Sequence, residues 1–446
     1  MQDVKNPEEK ILAVYLHEEQ VGTLQQLPPK GNMTFTYLST AKIPLSVGLP
    51  LPKPGETPQP FSEAQTEAYF GGLLPEGEEA RIKIRREYNL KTKNEFALLK
   101  VIGGDCAGAV SLYPLNQSPS PLSAEAHILE GRILTEEELE GRIKALPQKP
   151  LFLGGTDLRL SLAGAQDKAA VCLINNQIAF PTNGCPTTHI LKPLSSNYDG
   201  MVHNEYFCMR VAKRVGLDVP HVEIRYAGGQ PYYLIERYDR KIETNQQGKK
   251  LVRRLHQEDF CQALGIVTSD KYEEHGGPTL TQCFELLMNT RQPVINRNRL
   301  MQQVIFNFLI GNMDAHGKNF SMMYPSGINP FRNTGELTPA YDLISSIVYQ
   351  NLSNKMAMSI GGEFEWEKIT PQHWKAQCRD MKYSFSGLIQ LIQKQSQMIL
   401  KEMDMEKLDM EKNGNAHPIL DKMISCCTQH ISAVEKGMTL IEGFER

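Results

Sequence analysis

Asp314 and Asn319 stand five positions apart in the run GNMDAHGKNF, and a third polar residue, Asp342, follows in PAYDLIS. Together these residue types can serve phosphoryl transfer. One carboxylate accepts the proton of an attacking hydroxyl, while an amide and a second carboxylate hold the magnesium that bridges the phosphates. Asp314 is the candidate base, and Asn319 and Asp342 are the candidate metal ligands. His316 and Lys318 lie between the first two and are suited to phosphate contact. The same run of Asp, His, Lys and Asn also describes a solvated turn, so the elements upstream must decide between the readings.

Upstream, Leu158, Leu160 and Leu162 alternate at strand period and lead through Ala163-Gly164-Ala165 into a second strand, Ala169 to Ile174. Small residues at such a turn let the backbone approach anionic oxygens; an ordinary β-hairpin is the alternative. A third strand, Thr187 to Lys192, carries Lys192 among apolar residues, where a buried ammonium needs a partner. Glu205 can supply it from a helix predicted over Glu205 to Val215, capped by Asn204 and closed by Gly216. The alternative for Lys192 is an edge strand with the head group in water. Strands at His221 to Tyr226 and Tyr232 to Glu236 follow. Glu236, Arg237 and Tyr238 then fall where a connector between two lobes would meet an adenine edge through its backbone. Turn, strand lysine, connector and Asp-x4-Asn with a later Asp occur in the chain order of protein kinases.

The remaining composition fits that class. The chain has 446 residues, 41% hydrophobic and 22% charged, with 48 basic against 51 acidic side chains and a net charge of −3. This is a globular profile of two to four compact units, and it gives no bulk electrostatic support for holding nucleic acid. No run reaches the ~20 apolar residues of a membrane span, so no membrane partner is expected. Nine scattered cysteines without a Cys-x-x-Cys pair fit a reducing cytoplasm. The expected organisation is an α/β segment over 1–115, a linker with a connecting helix over 116–149, a sheet-rich unit over 150–240 and a mainly helical unit over 241–446. Ser62 should cap a helix in the first unit, and a hairpin of Phe320 to Tyr324 with Leu337 to Tyr341 should carry Asp342 back toward Asn319.

The motifs GGDCAGAVSL, SLAGAQDKAAV, THILKP, NEYFC, IERYDR, LHQEDFCQALG, GNMDAHGKNFS and LTPAYDLIS, in this order, resemble the HipA family of serine/threonine kinase toxins from bacterial type II toxin–antitoxin modules. The likeness runs nearly end to end. It implies an α+β, two-lobed protein-kinase-like fold, with a mixed α/β N-lobe, an extra N-terminal subdomain and an all-helical C-lobe. It implies ATP and Mg2+ as cofactors. Carried over by motif, Asp314 is the catalytic base and Asn319 and Asp342 hold the metal, with Gln257 close by as a third candidate ligand. Ala163, Gly164, Ala165, Gln166, Asp167 and Lys168 form the phosphate loop, and Lys192 binds phosphate with Glu205 as its ion-pair partner. Glu236, Arg237 and Tyr238 form the hinge, and His316, Gly317, Lys318 and Tyr341 join the nucleotide contacts. Ser161 matches the serine that family members autophosphorylate, which would eject the loop and switch the kinase off. The resemblance further implies a HipB-like helix-turn-helix antitoxin, operator DNA contacted mainly through that partner, and an aminoacyl-tRNA synthetase, foremost glutamyl-tRNA synthetase, as substrate. The rival readings are a kinase-fold corepressor and a kinase with a non-protein acceptor. The loop from Pro193 to His203 and the acidic, Met-rich tract Met398 to Lys412 depart from the family pattern.

Overall fold

Leu12, Val14 and Leu16 are apolar at period two, so Ile11–Leu16 buries one face completely. The computed structural model describes residues 10–28, 31–119, 126–149, 159–164, 166–325 and 334–442. Ile11–Leu16 lies inside a four-stranded antiparallel sheet, between Glu19–Leu27 and Val110–Pro114, with Asn32–Tyr37 at the far edge. Three helices, Glu63–Phe70, Glu78–Glu87 and Glu95–Ile102, belong with this sheet, and Phe70, Ile84, Phe96 and Leu99 complete its core. Ser62 caps the first through a reciprocal capping box with Gln65.

The next sheet has six strands, all paired antiparallel, in the spatial order Val222–Ala227, Gln230–Glu236, His189–Lys192, Ala169–Ile174, Gln177–Pro181, Gly131–Ile133. His189–Lys192 is therefore an interior strand, which removes the edge-strand reading of Lys192. Leu158 lies outside the described residues, and among those described the β-hairpin alternative for the Ala-Gly turn is not formed. Leu160 bridges to Asp105 and Gly164 to Pro75, so this segment is laid against the N-terminal subdomain. Leu160 and Leu162 accordingly pack in the core of the first sheet.

The helix expected to begin at Glu205 begins a turn earlier, as Met201–Arg214, behind a left-handed Gly200. Asn204 is consequently not its cap. Its amide donates to the Ser345 carbonyl at 3.0 Å and accepts from the Ser345 N–H at 2.8 Å, which ties this helix to the chain just beyond Asp342.

The C-terminal lobe is built mainly of helices, chiefly the buried Pro293–Ile310 and the long pair Phe385–Lys412 and Ile419–Glu442. It is not all-helical. His256–Asp259, Ser321–Tyr324 and Glu336–Leu337 form a small antiparallel sheet, and Lys355–Ile360 pairs with Glu363–Glu365. The returning strand is thus shorter than the Leu337 to Tyr341 expected. The acidic tract at the end of Phe385–Lys412 has a structural use, because Glu406 binds Arg210 and Arg214 at 3.0 and 2.6 Å and is itself buried. Among the described residues no helix is long and apolar enough to cross a membrane.

Candidate active site

Lys192 ends its strand with its ammonium inside the protein, 5% exposed. Such a charge persists only with partners. Nζ donates to Glu205 Oε1 at 2.7 Å and to Asp342 Oδ1 at 2.6 Å. Burial alone would lower the Lys192 pKa, but the two carboxylates reverse this and hold it above the ordinary lysine value. Burial likewise pushes the Asp342 carboxyl up, and the charges of Lys192 and Lys168 overcome it and hold that carboxyl down at about 2. Asp342 is ionised at neutral pH, with 40% of its side chain still exposed. Its backbone is left-handed, φ +52°, a conformation uncommon outside glycine and found at sites where geometry is imposed by function.

Asp314 follows the helix Pro293–Ile310 by way of Asn312. The Asn312 side chain accepts from the Asp314 N–H at 3.1 Å and donates to the Asp342 carbonyl at 3.3 Å, joining the two candidate loops. Asn319 donates from Nδ2 to the Asp314 carbonyl at 2.8 Å, which commits its amide nitrogen and keeps its oxygen as the atom for a cation. The Asp314 carboxylate is 48% exposed and accepts a hydrogen bond from Tyr272 Oη at 2.5 Å.

One cavity of about 1040 Å³ gathers most of the expected residues. Ala163, Gly164, Gln166, Asp167 and Lys168 line it on one side, and Lys192, Glu205 and Asp342 lie within it. Glu236, Arg237 and Tyr238 border it, as do Gln257, Asp314, His316, Lys318, Asn319 and Tyr341. Ala165 lies outside the described residues. Gly164 has φ +102°, and a Cβ there would stand 2.3 Å from Lys168 Nζ, so only glycine lets the lysine fold back to the Ala163 carbonyl at 2.8 Å.

Several expected nucleotide contacts are otherwise engaged. Lys318 is buried and bound to Asp259 Oδ2 at 2.8 Å and the Gly72 carbonyl at 3.2 Å, with Glu76 at 3.8 Å, so its ammonium braces the loop against the N-terminal subdomain. Arg237 points its guanidinium into a buried cluster with Asp239, Thr187 and the Cys106 carbonyl. Its backbone is engaged too, the N–H donating to the Thr188 carbonyl at 2.9 Å and the carbonyl accepting from the Arg240 N–H at 3.2 Å. Gly317 is a packing residue, because a Cβ there would lie 2.5 Å from Pro278 Cγ. His316 is buried, and burial lowers its pKa from 6.5, so it stands as a neutral imidazole at pH 7. Gln257 Oε1 already accepts from Tyr238 Oη at 3.0 Å, which competes with use of that oxygen as a metal ligand. The Tyr238 ring stacks on Tyr341 at 5.4 Å, and Tyr341 Oη donates to the Lys318 carbonyl. Ser161 is buried, its Oγ donating to the Leu73 carbonyl at 2.6 Å.

Sequence reasoning missed Glu76, Lys271 and Tyr272, which also line the cavity. Lys271 reaches Glu76 Oε2 at 2.5 Å, across 195 positions of chain. No local spacing signals such a pair. Asn312 lay within the GNMDAHGKNF motif and could have been found by asking what fixes the Asp314 backbone.

The donor set suits phosphate and a hard cation. A carboxylate and an amide oxygen fit magnesium, which keeps several waters and takes few protein ligands, and Lys192 fits a phosphate oxygen. Comparisons with known proteins agree in kind. The HipA-like C-terminal domain matches residues 160–407, and the HipA N-terminal domain matches residues 12–113. A putative kinase of Sinorhizobium fredii is 41% identical over 375 residues, 82% of this chain and 84% of that one. The serine/threonine-protein kinase toxin HipA of Shewanella oneidensis is 34% identical over 338 residues, 73% of this chain and 72% of that one. The solved complex of Shewanella oneidensis HipA with HipB and its operator DNA superposes with a TM-score of 0.79 at 27% identity, covering 96% of this chain and 99% of that one. With both domains matched in chain order and the fold shared almost throughout, the chain belongs to the HipA family of serine/threonine kinase toxins.

Proposed function

We propose that this protein is an ATP- and Mg2+-dependent protein serine/threonine kinase, acting as the toxin of a type II toxin–antitoxin module in the cytoplasm. The observation that carries the reading is Lys192 held between Glu205 and Asp342, at 2.7 and 2.6 Å, in the cavity that also contains Asp314 and Asn319. In this reading Lys192 orients the α- and β-phosphates, and Asp342 and Asn319 hold the cation. Magnesium supplies neutralisation of the charge that develops on the transferring phosphoryl group. Asp314 takes the acceptor hydroxyl's proton. In the connector Glu236 to Tyr238, backbone groups on either side of the engaged Arg237 receive the adenine edge, with the stacked Tyr238 and Tyr341 rings beside it.

The partner we propose is a HipB-like helix-turn-helix protein that supplies most of the operator contacts, in keeping with a net charge of −3. The proposed acceptor is an aminoacyl-tRNA synthetase, glutamyl-tRNA synthetase first, by family resemblance. Ser161 is the proposed autophosphorylation site. A phosphate carrying about two charges cannot replace the buried hydroxyl against the Leu73 carbonyl, so modification requires the loop to leave its seat and would keep it out.

The test is transfer of γ-phosphate from Mg-ATP to glutamyl-tRNA synthetase by the wild type and by Asp314→Asn. The expected loss is about a thousandfold or more, with an unchanged melting temperature. Equal transfer by both would remove Asp314 from its assigned role.

A further inference from the structure

A hydroxyl already stands on Asp314. In transfer to an alcohol, the nucleophile is the hydroxyl whose proton the base carboxylate accepts, and Tyr272 Oη occupies that relation at 2.5 Å from Asp314 Oδ1. The tyrosine does not belong to a packed helix. It lies between two short turns, Thr268–Asp270 and Glu273–His275, neither of which has a buried residue, and the chain leaves through Gly276 at φ +97°. Polar links fasten this strap on both sides of the cleft. Lys271 binds Glu76 of the N-terminal subdomain at 2.5 Å, while Glu273 accepts from the Ser359 N–H and Oγ at 2.7 and 2.8 Å. Glu274 pairs with Lys355 at 2.7 Å, with both side chains 40% or more exposed. Exposed pairs hold weakly and local openings begin where apolar burial is least. Lys271, Tyr272, Glu274 and His275 all face the cavity.

We propose that Tyr272 is a gate at the acceptor site, its hydroxyl holding the place of the substrate hydroxyl on Asp314 until a protein acceptor displaces the strap. The inference rests on the reading of Asp314 as the base. Its use is economy of ATP. With Tyr272 Oη on Asp314 Oδ1, the acceptor position beside that oxygen is closed to water. With the gate removed, a water oxygen attacks the γ-phosphorus, the bond to the β,γ-bridging oxygen breaks, ADP leaves with the electron pair, and the water proton passes to Asp314.

The experiment measures phosphate release from Mg-ATP by the full chain, without any protein acceptor, for the wild type, Tyr272→Phe, Asp314→Asn and the double variant. Calorimetry with Mg-ATP and a melting curve accompany each. The gate predicts that Tyr272→Phe raises the turnover of hydrolysis roughly tenfold or more at unchanged KM for ATP, and that the double variant returns to the Asp314→Asn level. If turnover falls, Tyr272 is a positioning residue that orients the base, and the gate is overturned; unchanged turnover overturns it as well. Tyr272→Ala separates loss of the ring from loss of the hydroxyl and is expected to raise hydrolysis too. Absence of Mg-ATP binding in the calorimeter would instead sink the kinase reading itself.

Discussion

Two networks of buried charge meet in this protein, and they are built differently. Behind the connector, Asp105 binds Arg240 at 2.8 Å and Arg254 at 3.2 Å, and Asp239 binds Arg237 and Arg240, each at 2.8 Å. Neutral donors fill in around them. Thr187 gives Asp105 both its N–H and its hydroxyl, and Gly108 gives its N–H to Asp239 at 2.7 Å. In the cleft, Lys192, Glu205 and Asp342 form an ion triad of equal closeness, yet Asp342 is 40% exposed and the neighbouring Asp314 is 48% exposed. The difference teaches what burial of charge means. A network closed on all sides joins pieces of chain, here the N-terminal subdomain to the connector. A network with carboxylates left facing a cavity keeps capacity for something that enters it.

Breaking the closed network should have the larger effect on stability. Asp105→Ala leaves Arg237, Arg240 and Arg254 facing one another in a buried space and is expected to cost about 3–5 kcal/mol of unfolding free energy in urea. Any loss of phosphotransfer should track the unfolded fraction.

A third buried carboxyl sharpens the contrast through pH. Glu258 is fully buried and has hydroxyl and N–H donors, from Ser46, Val47 and Tyr324, but no cation among the described residues. Burial therefore dominates and pushes its pKa from 4.5 up to about 7. The folded state then holds a proton that the unfolded chain releases, so this contribution is complete below pH 4.5 and is lost as pH rises toward 7. Asp105 has the opposite sign. Burial pushes its pKa up, the three guanidiniums overcome that, and the result is well below 3.8. Its contribution is present above pH 3.8 and is lost in stronger acid. Between pH 5 and 8 the stability of Glu258→Gln should decline less than that of the wild type, by up to about 3 kcal/mol at the alkaline end. Parallel curves for the two proteins would show that Glu258 does not carry the proton.

The smallest stability change belongs to the cleft. Asp342→Asn keeps a residue tolerant of left-handed backbone and leaves Lys192 its Glu205 partner. Pairing that holds this carboxyl at about 2 is worth at most about 2.4 kcal/mol, less for a side chain 40% exposed, so the melting temperature without nucleotide should correspond to a loss of about 1–2 kcal/mol.

The parts of the fold and site that could be read from sequence were local. The lysine in an apolar strand and the Asp-x4-Asn spacing are each complete within a few residues. The failures were non-local. Leu160 and Leu162 alternate as a strand should, but the segment they belong to bridges to Asp105 and Pro75 rather than to a following hairpin partner. Asn204 has the chemistry of a helix cap, yet Ser345 of the other lobe claims its side chain. Lys318 carries a charge that suits a nucleotide equally well as a brace, and only the three-dimensional position of Asp259 decides which use is made; Arg237, by contrast, pairs with Asp239 only two residues on. Tyr272 had no signal at all, because its relation to Asp314 exists only across the cleft.

We propose that the open network receives Mg-ATP and the closed one does not. This is tested most directly by the melting temperature of the wild type and of Asp342→Asn with and without saturating Mg-ATP. At about a hundred times the dissociation constant, binding should stabilise the wild type by roughly 2.7 kcal/mol, a rise of a few degrees, and leave Asp342→Asn unmoved. An equal rise in both proteins would contradict the account.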